Sequence, residues 1–155
     1  MTALPFAVRL GNDLVHVEDV ARSIGAFGQR YLRRVYAPAE LGTCWSAADG
    51  WSVDRLAARF AAKEAVIKAL RPTGGVDHRS IEVRQAADGA PHVHLTGAIA
   101  ARAAELGLAD SSLSLSHDGA YATAVFLAVT APDAPCSQHG HIQTLHPVEH
   151  QRNDQ

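Results

Sequence analysis

Three strings in this chain have the residue types and spacing to act on a charged substrate. GNDLV sets Asp13 beside a glycine, FAAKEAVIKAL sets Glu64 and Lys68 four residues apart, and SLSLSHDGAYATA sets His117 just before the turn-forming pair Asp118 and Gly119. On a helix, a spacing of four puts Phe60, Glu64 and Lys68 along one face, with Arg59 and Lys63 on an adjoining line. Glu64 and Lys68 can simply pair at the surface, for about 0.3–0.5 kcal/mol. The alternative is a cation site on a diphosphate. Magnesium keeps several waters and needs only one or two carboxylates beside phosphate oxygens, a part open to Asp13 and Glu64. Lys68 as a point charge and Arg59 as a planar fork would then neutralise phosphate. His117 sits where a hairpin would hold it rigidly, either to join that chemistry or to cap its own turn.

The elements that must position these residues follow from periodicity. Residues 6–10 read as a short strand, interrupted by Gly11, Asn12 and Asp13 before an apolar run resumes at Leu14. From 18 to 36, Val20, Ile24, Phe27, Tyr31 and Val35 recur at helical spacing, with Asp19, Arg22, Arg30 and Arg33 on the polar side. Gly25 and Gly28 weaken that helix by about 1 kcal/mol each and allow a break. Pro38 opens a short helical turn, and CWSAADGW reads as irregular. Residues 54–70 form the strongest helix, with Ser52 as N-cap and Leu56, Phe60, Ile67 and Leu70 as a buried stripe. Short strands are expected over 80–84 and 92–95, a helix over 98–106, and a hairpin joining 112–117 to 121–129 through Asp118-Gly119. This mixture with antiparallel hairpins is an α+β fold, an antiparallel sheet packed with a long central helix.

Composition narrows the function classes. The 155 residues, 47% hydrophobic and 19% charged, suit one domain with a real core. We read 1–130 as that domain and 131–155 as a disordered tail, whose His139, His141, His146 and His150 are histidines in a polar, proline-containing segment. A net charge of -2 provides no global basic field for nucleic acid, and the 6% aromatic residues do not interleave with a basic run. Cys44 and Cys136 form no Cys-x-x-Cys pair, so a reducing, cytoplasmic setting is expected. Neither an apolar run of membrane-spanning length nor an export signal is evident, so no membrane partner is expected. No Gly-x-x-x-x-Gly-Lys-Ser/Thr loop, Gly-x-Ser-x-Gly elbow or His-Glu-x-x-His helix is present.

Taken together, LGNDLV, RFAAKEAVIKAL and SLSHDGAYATAVFLAV stand in the order and approximate spacing of holo-(acyl-carrier-protein) synthases, in the 4'-phosphopantetheinyl transferase superfamily. The resemblance spans about residues 7–129, and Lys-Glu-Ala-x-x-Lys-Ala is its most specific part. It implies transfer of the 4'-phosphopantetheine arm of coenzyme A to a serine of an acyl carrier protein, with release of adenosine 3',5'-bisphosphate. By the same resemblance Asp13 and Glu64 are magnesium ligands, Lys68 contacts the diphosphate, and Arg59, Phe60 and His117 belong to the coenzyme A site. The base that takes the serine proton is either Glu64 or a water on the magnesium. Family members are typically homotrimers with sites at subunit interfaces.

Two positions depart from the family pattern. Asp19 falls where the family usually has an arginine that grips the acidic carrier, so the charge is reversed there. Arg22, Arg30 and Arg33 are the remaining candidates for a carrier-binding stripe, or else a solvated face. Arg71-Pro72 stands where the family has a glycine-rich loop beside coenzyme A, with Gly74 and Gly75 following. A noncatalytic module that binds coenzyme A or a carrier is the alternative these departures permit. A metal-dependent hydrolase of nucleotide diphosphates would use similar charges with water as nucleophile.

Overall fold

The computed structural model describes residues 5–132, and the histidine-containing tail lies outside them. Strand β1 (Ala7–His16) is followed by helices α1 (Val17–Phe27), α2 (Gln29–Val35) and α3 (Pro38–Cys44). A ribbon of β2 (Trp45–Ser46) and β3 (Gly50–Trp51) leads into the long helix α4 (Val53–Leu70). A 3-10 turn (His78–Ser80), β4 (Ile81–Gln85), β5 (Pro91–Leu95), α5 (Gly97–Glu105), β6 (Asp110–Asp118) and β7 (Tyr121–Thr130) complete the order. The main sheet is antiparallel with order β1-β7-β6, and β4-β5 forms a separate hairpin. This is the expected α+β arrangement of an antiparallel sheet and a central helix.

Several local expectations change. β1 runs without interruption for ten residues, each paired with β7, from Ala7 opposite Thr130 to His16 opposite Tyr121. Gly11 is therefore no flexible break. It is buried, and a Cβ built on it would lie 1.8 Å from the Ala65 carbonyl oxygen and 3.0 Å from the Ala69 amide nitrogen. The glycine lets β1 lie against the backbone of α4, and two residues on, Asp13 inherits that proximity. The helix read over 18–36 breaks at Gly28, whose φ of 52° ends α1. CWSAADGW contains the β2-β3 ribbon rather than irregular chain. The hairpin turn is Gly119-Ala120, because Asp118 itself pairs with Tyr121; Gly119, at φ 54°, supplies the positive dihedral that two-residue hairpins favour.

α4 is the centre of the molecule. Its Ser52 N-cap donates its hydroxyl to Asp54 Oδ1 at 2.6 Å instead of accepting from a backbone amide. At the other end Arg71 takes the left-handed conformation, φ 47°, that glycine usually supplies, and its N–H closes on the Ile67 carbonyl at 2.9 Å. The expected stripe of Leu56, Phe60, Ile67 and Leu70 understates the burial. Beyond its first turn α4 is buried at every position except Phe60, Glu64, Ile67 and Lys68. The alanines at 57, 58, 61, 62, 65 and 69 make this enclosure possible, since small side chains let the sheet face of Val15, Leu113, Ala122, Ala124, Phe126 and Ala128 approach closely. Among the described residues no helix is long and apolar enough to cross a membrane.

One ion pair is fully enclosed. Lys63 Nζ donates to Glu40 Oε2 at 2.7 Å, and both side chains are 0% exposed. Lys63 also donates to the carbonyls of His78 (3.0 Å) and Ile81, while Glu40 accepts from the amides of Ala37 (2.8 Å) and Val83 (3.1 Å). Burial holds the Lys63 ammonium below the usual lysine range, and the Glu40 charge opposes that effect. The pair joins α3, α4 and β4 at one point.

Two stability outcomes follow. Lys63→Met strands the Glu40 carboxylate as a buried, uncompensated charge and should cost about 3–5 kcal/mol in urea unfolding. Gly11→Ala forces β1 off α4; a loss of about 3 kcal/mol is expected by the same measurement, and an unchanged midpoint would contradict the close approach.

Candidate active site

Lys68 stands on the one open line of α4, where residues four apart rise about 6 Å along the axis. It reaches across to β1, donating to Asp13 Oδ1 at 2.7 Å and to the Asn12 carbonyl at 3.1 Å. The Asp13 side chain is 15% exposed and that of Lys68 52%. Glu64, one turn before Lys68, bonds instead to Nε2 of His78 at 2.7 Å. The surface pair between Glu64 and Lys68 that the spacing allows is thus replaced by two separate partnerships, each to a different part of the chain.

Asp13, Phe60 and Glu64 line one depression of about 500 Å³, together with His16 and Asp19. Two carboxylates on a shared hollow, one of them already held beside an ammonium group, can accept a divalent cation that brings its own waters and phosphate oxygens. Among the described residues no group of three or more His, Cys, Asp or Glu side chains forms a closed metal cage. Asp19 sits on the rim of the same depression and is engaged by Arg22 through a side-chain ion pair.

The other expected residues lie elsewhere in the subunit. Arg59 is nearly buried, donating to the Arg55 carbonyl and to Thr43 Oγ1, both at 3.1 Å, while its Nε has no partner. It lines a second depression of about 420 Å³ with Thr43, Glu82 and Arg84, which shares no residue with the first. His117 lines a third with Tyr121 and Thr123, and only Leu14 is common to it and the Asp13 hollow. Nδ1 of His117 is 3.6 Å from Asp54 Oδ2, so the residue faces α4 rather than capping its own turn. The Ser52 hydroxyl holds the Asp54 carboxyl below the usual carboxylate range, with His117 adding a smaller contribution.

Arg30 and Arg33 come together with Arg34 and Arg79 around a depression of about 770 Å³. Arg22 does not join them, being paired with Asp19. The periodicity of the helical region pointed to Arg30 and Arg33, but Arg34 and Arg79 were not singled out; Arg79 lies some 45 residues further along the chain, and only the fold brings it near. His78 was missed too, since a lone histidine after a Pro-Gly-rich loop carries no signal in the sequence.

Comparison with known proteins shows the family. The family model described as the 4'-phosphopantetheinyl transferase superfamily matches residues 9–126. The holo-[acyl-carrier-protein] synthase of Koribacter versatilis is 44% identical over 116 residues, 74% of this chain and 91% of that protein. The corresponding synthase of Dehalococcoides mccartyi is 40% identical over 118 residues, 76% of this chain and 95% of the relative. Among solved structures, the ACPS–CoA complex of Chronobacterium ammoniagenes superposes with a TM-score of 0.69 at 32% identity, covering 81% of this chain and 98% of that one. The antiparallel sheet packed around an enclosed helix is the α+β architecture of these synthase structures. The chain belongs to the 4'-phosphopantetheinyl transferase superfamily.

Proposed function

We propose that this chain transfers the 4'-phosphopantetheine group of coenzyme A to a serine hydroxyl of an acyl carrier protein, using a site completed between subunits. The observation that carries the site is the open line of α4. It presents Phe60 and Glu64 to the hollow that Asp13 lines, with Lys68 bonded to Asp13 at its edge. In the reaction the serine oxygen forms a bond to the phosphorus bearing pantetheine, and the bond from that phosphorus to the bridging oxygen breaks. The hydroxyl proton passes to a base, and adenosine 3',5'-bisphosphate leaves. Asp13 and Glu64 would hold magnesium, which when bound neutralises charge on the diphosphate oxygens. Lys68 holds Asp13 in place and offers its remaining ammonium proton to a phosphate oxygen. Phe60 gives the hollow an apolar wall.

Arg59 and His117 suit the adenosine phosphates of coenzyme A, and their placement in depressions other than the Asp13 hollow favours a site shared by two copies. The outward face of the main sheet supports this. Val8, Leu10, Leu14, Tyr121, Val125 and Leu127 are all exposed on it, with Leu10 opposite Leu127 and Asn12 opposite Val125. A face this apolar is covered in stable proteins, and a homotrimer closing on itself would cover it. Arg30, Arg33 and Arg34 around the α2 depression offer an acidic carrier protein a cationic surface, with Arg79, itself paired to Asp77, beside them. The cytoplasm is the compartment in which such a carrier and coenzyme A would meet this enzyme, and residues 1–130 form the catalytic domain.

Asp13→Asn and Glu64→Gln should each lower transfer to an apo carrier by at least about a hundredfold, read by intact mass, with the melting curve unchanged. Full activity in the double variant would rule out the metal pair. Subunit sharing is tested by co-refolding inactive Asp13→Ala and Arg59→Ala chains in equal amounts. Random assembly leaves about one site in four with both halves intact, so activity should return, whereas a site within one chain would stay dead. Release of phosphopantetheine without any carrier would instead favour hydrolysis.

A further inference from the structure

We infer that His78 is a positioning residue for the Glu64 carboxylate and so sets the affinity of the site for its divalent cation; this rests on the reading of Asp13 and Glu64 as the metal pair. Nε2 of His78 lies 2.7 Å from Oε1 of Glu64, which leaves Oε2 of the same carboxylate uncommitted. The imidazole is fixed from several directions. Its ring stacks on Phe60 with centroids 5.8 Å apart and planes 6° from parallel. Its carbonyl accepts from Lys63 at 3.0 Å, and Lys63 is itself locked by Glu40. The 3-10 turn that carries it is closed by the Ser80 amide on the Asp77 carbonyl at 2.8 Å and by the Asp77 carboxylate, which accepts from the Arg79 amide at 3.0 Å.

A glutamate side chain alone samples many rotamers, and ordering it costs entropy whenever a cation binds. Here one oxygen is anchored in advance to a ring held by the Phe60 stack and carried on an ordered turn, which narrows the orientations of the second oxygen. Phe60, Glu64 and His78 act as a unit. Phe60 sets the plane of the ring, and the ring sets the carboxylate. The buried Lys63–Glu40 pair, which has no exposed atom to offer a substrate, thereby acts on the site through the backbone of His78. Partners of this kind around a ligating group typically change metal affinity by 10–100-fold when removed.

The test uses the full chain and Mn²⁺, titrated alone and with coenzyme A, with bound metal read by electron paramagnetic resonance. His78→Phe keeps an aromatic ring to stack on Phe60 and removes the nitrogen; it should weaken Mn²⁺ binding about tenfold. His78→Gln restores an N–H donor without the ring and should bind more tightly than His78→Phe. In the transfer assay His78→Phe should need more Mg²⁺ for half-maximal rate, with the rate recovering at saturating Mg²⁺. Wild-type Mn²⁺ affinity in His78→Phe would overturn the inference while leaving the metal pair intact. Binding that is unchanged by Asp13→Asn would instead overturn the reading of the site on which it depends. His78→Leu is a second donor-free variant should His78→Phe fail to fold, and wild-type affinity there would be equally decisive.

Discussion

A helix enclosed on almost every side presents its exposed side chains along the line its neighbours leave uncovered. In α4 that line is Phe60, Glu64, Ile67 and Lys68, and the rest of the molecule is arranged around the contacts that close the other faces. The sheet closes one side because alanines line both surfaces and because Gly11 allows backbone to meet backbone. Any side chain at position 11 would push β1 outward and carry Asp13 away from Lys68. The contact that makes the core compact is thus also the one that brings the first carboxylate to the helix.

The second organising contact is the Lys63–Glu40 pair. Two charges taken wholly out of water are costly, and they persist here because all three ammonium protons of Lys63 are used and both Glu40 oxygens accept, with backbone of Ala37, His78, Ile81 and Val83 completing the network. That makes it a junction more than a source of stability. It draws the segment after α4 back onto the helix, which is how His78 comes to lie beside Glu64, the residue next to Lys63 in the chain. Adjacent residues thus have opposite fates: Lys63 turns into the protein to fasten a loop, and Glu64 turns outward to meet the side chain that the loop delivers.

The charge distribution has a logic of its own. Negative groups gather at the Asp13 hollow, where Asp19 joins Glu64 on the wall and Arg22 is drawn off to pair with it. Positive groups gather around α2, where Arg79 arrives from the loop after α4. Arg59 is held apart from both, nearly buried and with one nitrogen unmatched, and His117 lies at the hairpin end of the sheet. Cations and carboxylates are thus distributed over separate hollows, and the outward sheet face carries exposed Val8, Leu10, Leu14, Tyr121, Val125 and Leu127.

Much of this was legible in the residues themselves. α4 announced itself through helix propensity, the hairpin through alternation and a glycine turn, and the family through its Lys-Glu-Ala-x-x-Lys-Ala string. Local rules reach that far because they depend on residues a few positions apart. They misjudged Gly11, since a glycine in a strand looks the same whether it serves a bend or a close approach, and they placed the hairpin turn one residue early, since register depends on the partner strand. They set Lys63 and Lys68 on adjoining lines of one helix but gave no sign that the first is buried and the second stands on the open edge. The sequence by itself determined which elements form and which residue types are available for phosphoryl transfer. Only the tertiary structure decided which of those residues meet, because the pairings of Asp13 with Lys68 and Glu64 with His78 are set by how β1 and the 3-10 turn dock on α4, and docking is governed by buried volume and charge across the whole core.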